Sequence, residues 1–289
     1  MHEPADSIAR LDAAAERIET PCGKGHMVWR RWGRGRQVFL LHGGSGSWMH
    51  WLKTIPALSQ RYEVIAADLP GLGDSAMPPQ PHTPESAGEV VAAGIQLLAS
   101  AEQSPHLVGF SFGAHVGTFA AARLGTRLAS FTICGSAALG LPRDYIKYPK
   151  ERTGMSEAER RQVHRGTLEI LMFSRADRID ATAIDIQAAN VPKARFKSRE
   201  FAFTEEIKAN IGRATAPLNA IWGEKDAVGR PEAAFAVLRV AHPELIARTI
   251  PDAGHWVMYE QAAAYSAALL DVLAVRELPA PSATPGQRR

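Results

Sequence analysis

The sequence predicts an α/β protein, one large domain built on a mostly parallel sheet and interrupted by a helical insertion. Three observations predict it. Short apolar runs rich in β-branched residues alternate with longer amphipathic stretches, as strands and helices do along an α/β sheet. A glycine-flanked serine, Gly109-Phe110-Ser111-Phe112-Gly113, stands between one such run and one such stretch. From about residue 141 to 213 the strand-like runs stop and charge becomes dense, so that segment reads as a mostly helical cap.

In chain order, Val28–Trp32 and Val38–Leu41 are strand candidates, the second leading into the glycine-rich turn His42-Gly43-Gly44-Ser45-Gly46. A helix is expected over Trp48–Ser59 and a strand over Glu63–Ala67. Pro84 opens a helix reaching Ser100, because the first helical turn tolerates a missing N–H. His106–Phe110 is the next strand and Phe112–Leu124 the next helix, with Ala114 and Gly117 small enough to let it lie close to the sheet. Ser130–Cys134 is an apolar strand before the insertion. Beyond it come strand Leu218–Trp222, helix Pro231–Val240, strand Leu245–Ile250 and helix Glu260–Val275. The end of the chain is Pro- and Ala-rich without periodicity and cannot bury enough surface to order itself. The expected division is a core of residues 17–140 and 214–276, a cap of 141–213 and a disordered tail of 277–289.

Composition excludes several function classes. The 289 residues carry 33 Lys and Arg against 30 Asp and Glu, a net charge of +3. So even a balance, evenly spread, implies neither a nucleic-acid nor a membrane partner. No run approaches the roughly 20 apolar residues of a membrane span. The start carries acids where a signal peptide is basic, and no apolar stretch follows, so a cytoplasmic protein is expected. Cys22 and Cys134 form no CxxC or Cys/His cluster, and the histidines show no HExxH-type spacing, so neither a metal nor a cofactor is expected. A small-molecule substrate is the expected partner; whether the chain is a monomer or a homo-oligomer is left open.

The chemistry is carried by three motifs. The serine segment reads as strand, sharp turn, helix, a strained turn whose flanks must lack bulk, as Gly109 and Gly113 do. The glycine-rich turn after Leu41 can aim backbone N–H groups at developing negative charge: Gly44 or Ser45, together with Phe112, would form an oxyanion hole. Ile221-Trp-Gly-Glu-Lys-Asp226 ends a late strand, and Gly254-His255-Trp256 follows the next. Asp226 and His255 therefore fall at carboxyl strand ends, where open α/β sheets bind ligands. Ser111 would be the nucleophile, His255 the general base and Asp226 the acid that orients it. Glu224, two residues before Asp226, is the rival for the acid. The insertion carries 15 Lys and Arg against 11 Asp and Glu, with Lys193, Arg195, Lys197 and Arg199 crowded together. Arg195 or Arg199 could hold an anionic substrate; otherwise the cluster is a solvated face.

Together with Asp68-Leu-Pro-Gly71-Leu-Gly73-Asp-Ser75, these motifs resemble the α/β-hydrolase family over roughly residues 20 to 275. The resemblance implies an eight-stranded, mostly parallel sheet with helices on both faces and a lid over the site. The long lid and the His255-Trp256 pair are also similar to the meta-cleavage-product hydrolases, which cut carbon-carbon bonds in ring-fission products. That likeness implies a substrate-lining role for Trp256. Those enzymes usually carry a polar residue before the serine, whereas Phe110 here would line a more apolar pocket. A small, largely apolar carboxylic ester or lactone is the expected substrate, the carbon-carbon reaction the alternative, and a non-catalytic receptor on the same fold the reading from another class.

Overall fold

The five-residue apolar runs form the centre of the sheet, because a parallel strand covered on both faces has no polar side to show. A computed structural model describes residues 4–142 and 145–277; of the expected tail, residues 278–289 lie outside the described residues. Its strands are β1 (Glu16–Cys22), β2 (Gly25–Trp32), β3 (Gln37–Leu41), β4 (Glu63–Ala67), β5 (His106–Phe110), β6 (Ser130–Cys134), β7 (Leu218–Gly223) and β8 (Ile246–Ile250). They form one sheet in the order β1-β2-β4-β3-β5-β6-β7-β8. β2 is antiparallel to both β1 and β4, and every other pairing is parallel. The chain leaves β3 for β4 on one side and returns to β5 on the other. The connections leaving the carboxyl ends of β3 and β5 therefore run to opposite sides, which opens the crevice where such sheets bind ligands.

The helices are α1 (Pro4–Ala13), α2 (Ile55–Leu58), α3 (Pro84–Leu98), α4 (Phe112–Leu124), α5 (Glu157–Leu171), α6 (Ala181–Asn190), α7 (Glu206–Asn210), α8 (Pro231–Ala241), α9 (Val257–Glu260) and α10 (Ala262–Glu277). Alternation along the strands divides the core. On β3, Phe39 and Leu41 join α3, α4 and α8 on one face, while Val38 and Leu40 join α2, α9 and α10 on the other. The fold is that of an α/β hydrolase, with helices on both faces.

The elements differ from expectation in four places, the first being α1 (Pro4–Ala13), a helix that was not expected. β1 was not expected: its residues are mostly exposed, so the strand at the sheet edge lacks an apolar run. The helix expected over Trp48–Ser59 is a 3₁₀ turn, Trp48–Trp51, capped by Ser47, followed by the separate short α2. Pro56 cannot donate a backbone hydrogen bond, so the helix restarts at Ile55. The helix expected over Glu260–Val275 starts two residues later, at Ala262, after the separate short α9, and Glu277, assigned to the tail, closes it.

Between β6 and β7 lie α5, α6, α7 and short 3₁₀ turns. α5 begins at a capping box in which Ser156 and Glu159 satisfy each other's backbone amides. The segment that leaves α5 is bound to the chain around residue 255. Trp256 N donates to Met172 O at 2.8 Å. The fully buried carboxylate of Glu260 accepts from the Ser174, Arg175 and Gly254 amides at 2.6–3.1 Å. Among the described residues, no helix is long and apolar enough to cross a membrane.

Candidate active site

Strand β5 ends in a backbone conformation that few side chains adopt. Ser111 has φ +52° and ψ −116°, and α4 begins at the next residue. A non-glycine residue there is strained, and persists only where its surroundings over-determine it. They do so here: Ser111 N donates to Cys134 O at 2.9 Å, while Ser111 O accepts from Ala114 N, His115 N and Ser136 Oγ at 3.0–3.2 Å. Position 113 must be glycine, because a Cβ there would lie 2.3 Å from Leu41 O. That close approach seats the elbow directly on the turn after β3.

The ends of β7 and β8 bring up the partners. His255 Nε2 lies 3.0 Å from Ser111 Oγ, and His255 Nδ1 lies 2.9 Å from Asp226 Oδ2. Asp226 Oδ1 also accepts from Val228 N at 2.7 Å, which fixes the carboxylate. Both Asp226 and His255 are buried, whereas Ser111 is half-buried. A hydroxyl, an imidazole and a shielded carboxylate in this chain can take a proton from the hydroxyl and stabilise the resulting cation. Glu224 is exposed and instead accepts from Asp252 N at 2.9 Å, away from His255.

Ser111 and His255 open into a cavity of about 460 Å³. Gly44, Ser45, His50, Phe112 and His115 line it from the sheet side, and Tyr148, His164, Met172 and Arg199 from the insertion. The Gly43 amide is already bonded to His50 Nδ1 at 3.2 Å. The Phe112 amide, at the first position of α4, is one of those that a helix leaves without an intrahelical acceptor. Burial pushes His115 down to about 4 and holds His50 well below the ordinary histidine range. Burial also lowers His164, which its pairing with Glu151 at 2.8 Å partly offsets.

The family profile described as the Alpha/beta hydrolase family matches residues 38–268. The chain belongs to the alpha/beta hydrolase family. This alpha/beta hydrolase is 29% identical over 79% of its length to the dihydrolipoyllysine-residue acetyltransferase component of an acetoin cleaving system from Pseudomonas putida, and spans 60% of that relative. It is 26% identical to a 2-hydroxy-6-oxo-6-(2'-aminophenyl)hexa-2,4-dienoic acid hydrolase from Metapseudomonas resinovorans, over 84% of this chain and 86% of the relative. Among solved structures, a thermophilic esterase from Thermogutta terrifontis superposes with a TM-score of 0.71 at 22% identity, over 91% of this chain and 100% of that one.

Three residues expected to contact substrate, Phe110, Trp256 and Arg195, do not line this cavity. Phe110 does not line the cavity: its ring is fully buried, with its centroid 4.9 Å from that of His255, and supports the histidine from the core. Trp256 is likewise fully buried, and its Nε1 donates to His50 O at 2.9 Å. Arg195 is held away from the cavity on the 71–75 loop, where it donates to the Gly73 and Ser75 carbonyls. Arg199 does reach the cavity wall, its guanidinium 4.1 Å from the Tyr148 ring centroid.

His50, His115 and His164, which no motif singles out, all line the cavity. For His115 a signal existed: it stands four residues after Ser111, in the first turn of the helix that Ser111 precedes. His50 and His164 carried none, because their approach depends on tertiary packing. His106 and His242 stay apart, bonded to Ser130 and to Ile211 O.

Proposed function

We propose that this alpha/beta hydrolase is a serine hydrolase that cleaves small carboxylic esters or lactones through an acyl-enzyme on Ser111. The observation that carries the reading is the unbroken chain Ser111 Oγ, His255, Asp226, with steps of 3.0 and 2.9 Å, at the floor of a cavity. Ser111 Oγ attacks the substrate carbonyl carbon as its proton passes to His255 Nε2. Negative charge then develops on the carbonyl oxygen, where the amides of Phe112 and of Gly44 or Ser45 donate to it. The C–O bond breaks, His255 returns its proton to the leaving alcohol, and water repeats the sequence to free the acid. The helical insertion acts as the cap that closes the site, and its apolar residues such as Leu171, Met172 and Val191 receive the acyl chain.

One observation favours a second reading. Arg199 brings a guanidinium to the wall of the same cavity, which suits a substrate with a carboxylate end, such as the dienoates named for the Metapseudomonas relative. Both reactions are followed by absorbance on one preparation. Short-chain aryl ester turnover well above that of a 2-hydroxy-6-oxo-hexadienoate supports the ester reading, and the opposite ratio the carbon-carbon one. In either case Ser111→Ala is expected to fold normally and lose about 10³-fold or more of kcat. A fully active Ser111→Ala protein would remove the acyl-enzyme from consideration.

A further inference from the structure

His50 is a deeply buried titratable group that acyl transfer leaves unused. It is 2% exposed and sits in the 3₁₀ turn after the glycine-rich loop. Its Nδ1 accepts from Gly43 N, so the neutral ring carries its proton on Nε2. From the other side, His42 Nε2 accepts from Leu69 N at 2.9 Å, which leaves its Nδ1 to donate to Gly43 O at 2.7 Å. Gly43 is therefore gripped at both ends by imidazoles of fixed tautomer. The peptide between Gly43 and Gly44 is planar and trans, so the Gly44 N–H points opposite to the Gly43 carbonyl. With that carbonyl turned to buried His42, the Gly44 N–H points away from His42, and Gly44 itself lines the cavity.

His50 also touches the other two loops of the site. Its carbonyl accepts from the indole of Trp256, next to His255, and its ring meets that of Phe110, next to Ser111, edge-on at 5.7 Å. The sequence keeps room for it: a Cβ at Gly46 would lie 2.3 Å from His50 Cε1.

We propose that His50 is a positioning residue of the oxyanion loop, holding Gly43 through Nδ1 so that the Gly44 amide meets the charge developing on the substrate oxygen. This rests on the acyl-enzyme reading above. Asn at position 50 offers an amide oxygen near Nδ1, whereas Gln offers an amide nitrogen near Nε2. The test measures kcat and KM for a short-chain aryl ester, inhibition by a trifluoromethyl ketone that adds to Ser111, and Ser111 labelling by a fluorophosphonate. His50→Ala is expected to lose about 10²-fold in kcat, the scale of one oxyanion donor, with KM within about 3-fold and ketone affinity falling in parallel. His50→Asn should recover most of that loss and His50→Gln should not. If the Ala variant does not fold, the Asn and Gln pair, closer in size to histidine, carries the comparison. Recovery by Gln in place of Asn, equal impairment of both, or a loss confined to KM overturns the proposal while labelling of wild-type Ser111 leaves the acyl-enzyme reading standing. Absence of that labelling overturns both.

Discussion

Glu224 and Asp226 leave the end of one strand with opposite fates. The Asp226 carboxylate is screened from solvent and faces His255 Nδ1, while Glu224 stays in water and caps the Asp252 amide. A buried carboxylate bonded to an imidazole fixes its tautomer and stabilises its cation; an exposed one two residues away is screened and does neither. Asp226→Asn is expected to lower kcat by about 10³- to 10⁴-fold, whereas Glu224→Gln should stay within about 3-fold. Steady-state kinetics of the two variants checks this, and the reverse ranking would move the acid. The residues of this chain were legible in sequence because each ends a strand at the sheet edge where the fold must place its chemistry. The facing of their neighbours was not. Phe110 and Trp256 adjoin Ser111 and His255, yet the backbone turns both rings into the core, a direction no motif encodes.

At the scale of elements, the elbow depends on how close α4 lies to the turn after β3. Gly113→Ala would set a methyl against Leu41 O and His42 O at 2.3 and 2.5 Å, both backbone atoms that cannot swing aside. The variant is expected to lose about 1–3 kcal/mol of stability in urea denaturation, the usual cost of overpacking, together with most of its activity. A fully stable, active Gly113→Ala would mean that the two segments are not in contact. The central strands could be read from sequence because burial on both faces writes an uninterrupted apolar run. β1 could not, because its outward residues are charged and its pairing is decided by β2. The cavity wall was equally hidden. Of the basic cluster that reads as a solvated face, Arg199 instead stands over the Tyr148 ring at the cavity wall.

For the whole molecule, buried neutral histidines tie folding to pH. Burial holds both His42 and His115 at about 4, below the ordinary histidine value near 6.5. Between those limits the unfolded chain binds protons that the folded chain refuses, so stability rises with pH there. This contribution is fully present above about pH 6.5 and is lost as the pH falls toward 4. Denaturant midpoints measured from pH 7 down to pH 4.5 are expected to fall steadily; a flat profile would mean that these rings take up protons without unfolding. The same long-range view gives the Met172–Arg178 segment a meaning for molecular exchange. Because Met172 O holds the Trp256 amide, and the Glu260 carboxylate ties the Ser174 and Arg175 amides to that of Gly254, the insertion is not a module that can be traded whole. A chimera that imports a foreign insertion is expected to loosen the backbone around His255 unless these residues stay behind with the host, whereas swaps confined to the Tyr148 and Arg199 walls should leave that backbone held.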